Sequence, residues 1–190
     1  MSDTFFDGAV DFGPRCATKD VNVPFKQEAA MIETPRITEL EAAPTAVIRL
    51  RIPREQMPQV FGPAIEEIMS TLGAQGIAPT GPVFAHHFSM EPGIFDFEIG
   101  VPVSRPVEAA GRVEPGQRPP VRVARTVYHG PYDGLPDAWG KFHAWVEGKG
   151  YAYAPDIWEC YVDGPHSTSD PSRYRTELNR PLADGVGGGR

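Results

Sequence analysis

The segment 157–161, Ile-Trp-Glu-Cys-Tyr, carries the side chains best suited to chemistry. Its composition predicts a strand, and neighbouring side chains of a strand point to opposite faces, so Glu159 and Tyr161 share one face. A carboxylate among aromatic rings can pair with an organic cation, while each ring face adds cation–π attraction of about 0.5–2 kcal/mol. Partial desolvation would instead suit it to act as a general acid or base. Both uses require a hollow beside the strand.

Other ionisable and aromatic residues are expected around the same hollow. We expect Trp158 and Cys160 to pack beneath helices, which turns Glu159 toward the hollow and places Glu177 of the following strand beside it. The spacing leaves open a plainer interpretation, in which Glu159 is a solvated strand residue and the tyrosines are ordinary packing. The five histidines show no metal-ligand spacing, so no metal site is expected. The further residues expected to line the hollow are Tyr128, Tyr132, Trp139, His87, Glu98 and Glu177.

An internal repeat indicates how such a hollow can form. Few residues are identical between the copies, but the apolar, glycine and proline positions recur. A unit this small usually cannot bury its own apolar face, so the two copies should pack together with a cleft between them. The first copy has Ala85 and His87 where the second has Glu159 and Tyr161, so the two sides of the cleft should carry different functional groups. Sliding the chain by 74 residues matches 45–51 with 119–125, 76 with 150 and 83–88 with 157–162, and an insertion around 166–170 then brings 95–102 onto 174–181.

The elements predicted around this repeat form an α+β fold, a tandem duplication of a strand–helix–strand–strand module with pseudo-two-fold symmetry and a central ligand cleft. Apolar residues between 60 and 72 follow helical spacing, and a second helix begins near Pro136, where a first-turn proline is tolerated. The predicted domain spans 37–182, between a partly disordered or draped extension (1–36) and a flexible tail (183–190). Its parts are repeat 1 (37–104), an exposed linker (105–120) and repeat 2 (121–182), with strands at 45–52, 82–88, 95–103, 121–128, 157–162 and 174–182.

Composition narrows the function classes. The 190 residues carry a net charge of −7, which argues against a nucleic-acid surface because such surfaces cluster Lys and Arg. Two distant cysteines and the lack of a leader or long apolar run favour a reduced cytoplasmic protein without membrane contact. No phosphate-binding glycine loop, Cys-x-x-Cys or His-Glu-x-x-His pattern occurs, so no organic cofactor is expected.

Three motifs in order resemble the GyrI-like small-molecule-binding domain family. They are Tyr-His-Gly-Pro-Tyr-Asp-Gly-Leu-Pro-Asp-Ala-Trp at 128–139, Trp-Glu-Cys-Tyr at 158–161 and Arg-Thr-Glu-Leu-Asn-Arg-Pro-Leu at 175–182. The family occurs alone and as the effector-binding half of AraC-type and MerR-type multidrug regulators. The resemblance implies two pseudo-symmetric modules around a cleft whose carboxylate, here Glu159, receives lipophilic and often cationic compounds. Because no DNA-binding pattern precedes residue 37, we expect a stand-alone member.

Three functions follow, in order of preference. The first is binding of lipophilic, aromatic molecules, including cationic ones, for sensing or sequestration. The second, implied by stand-alone relatives, is a hydrolase that opens strained cyclopropane rings of alkylating natural products, with Glu159 and Tyr132 or Tyr161 as catalytic residues. The third is modulation of gyrase, implied by the family name, although no residue locates an interface with a protein partner.

Overall fold

The computed structural model describes residues 31–89 and 93–183. It confirms the α+β class, with strands that outnumber helices. The six predicted strands and both predicted helices are present. In chain order the elements are β1 (Met31–Ile32), β2 (Arg36–Leu40), β3 (Ala43–Pro53), α1 (Met57–Gln75), β4 (Val83–Ser89), β5 (Ile94–Pro102), β6 (Glu114–Arg118), β7 (Val121–His129), α2 (Leu135–Gly148), β8 (Ile157–Asp163) and β9 (Arg175–Pro181).

All the strands join one antiparallel sheet. Its order is β1-β7-β9-β8-β4-β5-β3-β6, and β2 also pairs with β7. The order β3-β5-β4 on one side of the central β4–β8 pair mirrors β8-β9-β7 on the other. At that centre Ala85 lies directly opposite Glu159. The strand–helix–strand–strand order therefore occurs twice, and the two positions matched by the 74-residue offset face each other.

The first strand of each module shows a different offset from the one predicted. Ile48 pairs with Ile99 in the first module, and Thr126 pairs with Leu178 in the second. Residue 99 corresponds to 178, so residue 48 corresponds to 126, an offset of 78. The match of 45–51 with 119–125 is therefore wrong by four residues. The helices explain the error: α1 is five residues longer than α2, but one additional residue, Lys149, separates α2 from Gly150, so the net difference is four residues. Four residues are close to one 3.6-residue turn, which leaves the apolar face almost unrotated.

The two helices bury equivalent faces. Buried positions recur every four residues, which is the spacing of one helix face. A left-handed glycine follows each helix, Gly76 with φ 61° and Gly150 with φ 71°, where a side chain would be strained. Tyr161 belongs to the core beneath α1 and Leu178 to the core beneath α2, so the helices cover the face that also carries Glu159. The buried helix residues are Ala64, Ile68 and Leu72 in α1, and Ala138, Phe142 and Val146 in α2.

The edges of the sheet were not predicted. The expected extension ends in β1, and Thr126 Oγ1 donates a hydrogen bond to the Glu33 carbonyl oxygen at 2.7 Å. The expected linker contains β6, which pairs with β3. Both strands are short, as edge strands often are, and β6 is polar, so neither shows a clear alternation of apolar and polar residues. Expectations for 1–30, for the tail from 184 and for the turn at 91–92 lie outside the described residues. Within the described ranges, no helix has the length and apolar character of a membrane span.

Candidate functional site

A cleft of about 570 Å³ opens on the helix-covered face, above the central strands β4 and β8. A 3-10 turn before α1 supplies Arg54, and α2 supplies Trp139 and Gly140. The volume lies within the range of about 300–1,000 Å³ that small-molecule sites occupy. Strand residues in its lining include His87, Phe95, Glu159 and Arg180.

Glu159 is the buried polar centre of this cleft. The residue is only 8% exposed, and two hydrogen-bond donors hold its carboxylate in place. Trp139 Nε1 donates to Oε1 at 2.7 Å, and Tyr161 Oη donates to Oε2 at 2.8 Å. A carboxylate has about four acceptor positions, so the two donors leave acceptor capacity for a ligand. The arrangement fixes the carboxylate without saturating it.

Aromatic rings surround the carboxylate. Tyr161 packs edge-on against Phe61 at a centroid distance of 5.2 Å and against Tyr132 at 5.6 Å. Burial, together with the charge of Glu159, raises the pKa of Tyr161 well above its usual value. Burial also raises the pKa of Tyr132 to about 12, with contributions from Tyr174 and Glu159. Both phenols therefore keep their protons at neutral pH, and Tyr161 donates a hydrogen bond to Glu159.

His87 forms part of the wall contributed by the first module. Its ring stacks on Phe97 at 5.2 Å and meets Phe95 edge-on, and the residue is 4% exposed. Burial lowers the pKa of His87, an effect that Glu159 opposes and Arg54 reinforces. The imidazole is therefore neutral at pH 7. Within the described residues its Nδ1 has no hydrogen-bond partner.

The structure corrects which residues share a face with Glu159. Leu178 pairs with Glu159, whereas Glu177 pairs with Cys160 and so faces the other side of the sheet. The placement of Glu177 beside Glu159 is therefore wrong, and so is the placement of Trp158 and Cys160 beneath the helices. The physical reason is that Trp158, at 6% exposure, is buried on the face that lacks helices. Alternation fixes which residues share a face but not which face the helices cover.

That opposite face has a cavity of its own, with a volume of about 500 Å³. Glu98 and Glu177 lie there rather than in the cleft. Arg125 Nη1 is 3.3 Å from Glu177 Oε2, and His86 Nδ1 is 3.4 Å from Glu98 Oε1. Both acids have partners within the protein. Of these two cavities in the described part of the chain, the helix-covered cleft has the more deeply buried carboxylate, Glu159, beside aromatic rings, so it is the candidate site.

Tyr128 also lies outside the cleft. It is buried in the core beneath α2, and its hydroxyl donates to the Pro131 carbonyl oxygen at 2.9 Å. A Cβ at Gly134 would lie 2.1 Å from that hydroxyl, so the glycine permits the close packing of the turn. Tyr128 holds the turn that presents Tyr132, rather than forming a wall.

Sequence reasoning missed the two arginines of the cleft, Arg54 and Arg180. Arg180 shares a face of β9 with Leu178 and Thr176, so alternation identifies it once the helix-covered face is known. Arg54 lies in the turn between β3 and α1, for which no periodic signal exists. Charged residues at such positions are usually solvated, which is why neither was singled out.

In the described part of the chain, one antiparallel sheet with two helices on one face forms an α+β domain that contains a cleft beside a buried carboxylate. The sequence matches the GyrI-like small molecule binding domain over residues 33–183, and the chain belongs to this family. No curated protein matches the chain.

Solved structures share the fold. The crystal structure of the EcmrR C-terminal domain is similar with a TM-score of 0.72 and 22% identity over 80% of this chain and 98% of that domain. The chain spans 58% of the EcmrR chain in its complex with DNA. SAV2435 bound to tetraphenylphosphonium is similar with a TM-score of 0.59 and 10% identity over 80% of this chain and 95% of that one. A hydrolase encoded by lin2189 from Listeria innocua is similar with a TM-score of 0.57 and 10% identity over 78% of this chain and 91% of that one. At these identities the likeness shows the fold.

Proposed function

We propose that the cleft binds a lipophilic aromatic molecule, and that Glu159 is the central polar contact of that ligand. The observation that carries the proposal is a carboxylate buried at the base of a 570 Å³ cleft and fixed by Trp139 and Tyr161. A pre-positioned anion with remaining acceptor capacity suits a cationic or hydrogen-bond-donating group. The rings of Tyr132 and Trp139 supply apolar contact and cation–π attraction.

The residues take distinct roles in this proposal. Trp139 and Tyr161 orient Glu159, while Tyr132 and His87, one from each module, contribute to the walls of the cleft. The internal symmetry also supports an origin by tandem duplication, in which the second module acquired the carboxylate and the first kept Ala85. The structure of SAV2435 contains tetraphenylphosphonium, which makes this cation a suitable first probe.

The proposal is tested by titrating the protein with tetraphenylphosphonium and following tryptophan fluorescence and heat. We expect Glu159→Gln to weaken binding by roughly tenfold or more, because the variant removes the charge that attracts the cation, and opposite charges about 6 Å apart at an effective dielectric constant of about 20 interact by ~3 kcal/mol. Glu177→Gln is the matched control on the opposite face and should leave the affinity unchanged. Tetraphenylborate has the same shape and the opposite charge, so it reports apolar fit without attraction to Glu159. Equal affinities for wild type and Glu159→Gln would refute the role of the carboxylate.

Hydrolysis is the second candidate, and the pairing of Glu159 with a protonated tyrosine favours it. Glu159 can take a proton from a water whose oxygen bonds to a cyclopropane carbon. The ring C–C bond breaks, its electron pair passes to a conjugated carbonyl of the substrate, and the Tyr132 hydroxyl protonates that carbonyl oxygen; the proton on Glu159 then returns to Tyr132 through solvent. The likeness to the lin2189 hydrolase concerns the fold but makes the assay worthwhile. Incubation with a cyclopropyl electrophile, followed by mass spectrometry, should show ring-opened product that Glu159→Gln abolishes. Recovery of the unchanged compound would leave binding as the function.

A further inference from the structure

We propose that the preferred ligand is amphoteric: its donor or cationic end meets Glu159, and an acidic group at its other end meets Arg180. This inference rests on the proposed function and names the chemical class of the ligand. It assigns Arg180 as a binding residue. The basis is that one cavity holds opposite charges that the fold keeps apart.

Arg180 is placed close to Glu159 by the sheet. Glu159 pairs with Leu178, and Arg180 lies two residues further along β9 on the same face. Diagonal neighbours of this kind have Cα atoms about 7–8 Å apart. Both side chains line the same cleft. An aromatic compound with polar groups at two ends can therefore reach both.

The guanidinium of Arg180 forms no ion pair within 4.0 Å among the described residues, although Asp156 attracts it from further away. It lies 4.3 Å from the centroid of the Tyr153 ring and also interacts with the Tyr153 side chain by hydrogen bonding, and its Nη1 donates a long 3.5 Å hydrogen bond to the Pro155 carbonyl oxygen. Its Nε is buried and unpaired within the described ranges. Burial lowers the pKa of Arg180, although Tyr153 and Asp156 oppose the shift. Arginine remains protonated regardless, so the cleft holds a half-buried cation that Asp156 compensates only at long range and that has no direct ion pair among the described residues.

Glu159 does not neutralise this cation, because Trp139 and Tyr161 hold its oxygens elsewhere. A bridging ligand would compensate both charges at once. A simple monocation would satisfy Glu159 but meet the field of Arg180. Arg54, 4.9 Å above the Phe95 ring, adds a second positive charge to the cleft without a described acidic partner. The neutral His87 adds none, so the cleft carries more positive than negative charge.

A matched pair of dyes tests the inference. Rhodamine 6G is an ethyl ester and a cation, and its free acid has the same chromophore with a carboxylate. We expect the full chain to bind the free acid roughly tenfold more tightly in fluorescence anisotropy at low ionic strength, as a charge-assisted contact requires. Arg180→Gln should abolish the preference, and Arg180→Lys should retain part of it. Arg118→Gln, in the opposite cavity, should preserve it. Thermal melts establish that each variant is folded.

The outcomes separate the two proposals. A free-acid preference that disappears in Arg180→Gln supports the inference. Equal or tighter binding of the ester by the wild type overturns it, even if Arg180→Gln is unstable, and leaves the proposed function standing. A preference unchanged in a folded Arg180→Gln also overturns it. If tetraphenylphosphonium and both dyes fail to bind the wild type, the proposed function itself is wrong.

Discussion

The two modules pack their helices through equivalent positions but differ in the residue at the centre of the sheet. Ile68 of α1 and Phe142 of α2 are both fully buried at matching positions of their helix faces. At the centre of the sheet the equivalence ends, because Ala85 faces Glu159 across β4 and β8. Packing requires apolar volume at the helix positions in both modules, whereas one carboxylate is enough for a ligand. The departure from the symmetry of the two modules therefore coincides with the site that we propose for the ligand.

The largest expected effect is a loss of stability when the central pair of Ala85 and Glu159 is made symmetric by placing a second glutamate at position 85. Ala85 has no exposed surface, so Ala85→Glu would bury a second carboxylate opposite the first. An uncompensated buried charge costs about 3–5 kcal/mol of unfolding free energy. Urea unfolding at pH 7 should show Ala85→Glu less stable than the control Ala85→Gln, which adds similar volume without charge. The difference should shrink at pH 4, where carboxylates take up protons. Equal stability at both pH values would show that the centre is solvated.

A smaller effect, a loss of ligand affinity, is expected when a larger side chain on α2 fills part of the cleft. Gly140 lines the cleft, and a Cβ there would have no atom within 4 Å. Gly140→Leu should improve helix propensity by up to about 1 kcal/mol while obstructing the ligand. We expect roughly tenfold or greater loss of tetraphenylphosphonium affinity without loss of thermal stability.

The matched control for this variant is Gly73→Leu in α1, where a Cβ also has open space but lies outside the cleft lining. Its affinity should equal that of the wild type. Undiminished binding by Gly140→Leu would mean that the ligand occupies another cavity.

The smallest expected effect is a difference in pKa between His86 and His87, which are adjacent in β4 and lie on opposite faces of the sheet. Burial lowers the pKa of His86, but hydrogen bonds to Asp156 (2.8 Å) and Glu98 outweigh it, so the net shift is upward. Its stabilisation is complete below the unfolded pKa of about 6.5 and is lost as pH rises through the folded value. The pKa of His87 is lowered by burial, so its stabilisation is present above pH ~6.5 and is lost as pH falls through the folded value.

Proton NMR titration should show that His86 titrates at higher pH than His87. In urea unfolding, His86→Asn should lose stability mainly in acid, and His87→Asn should reduce the destabilisation that acid causes in the wild type. Coincident titration curves would contradict the different environments of the two faces.

Sequence patterns predicted the helices and strands more accurately than they predicted how these elements pack against one another. Apolar periodicity identified both helices and the six strands that pack on them, because those elements bury one face. The face of Glu159 was misjudged because both faces of β8 are buried: Trp158 is 6% exposed and Tyr161 is 7% exposed. Arg180 was missed because an arginine in a strand is usually solvated. Which charges stay unpaired depends on contacts between strands that periodicity does not encode.

Indole ¹⁵N NMR tests the central claim most directly, since the chain has three tryptophans and two of them line opposite cavities. Trp139 Nε1 donates to Glu159 in the cleft, whereas Trp158 lines the cavity on the other face. Titration with tetraphenylphosphonium should shift the Trp139 indole resonance in proportion to binding and leave Trp158 unchanged. A shift of Trp158 with Trp139 unperturbed would contradict a ligand site centred on Glu159.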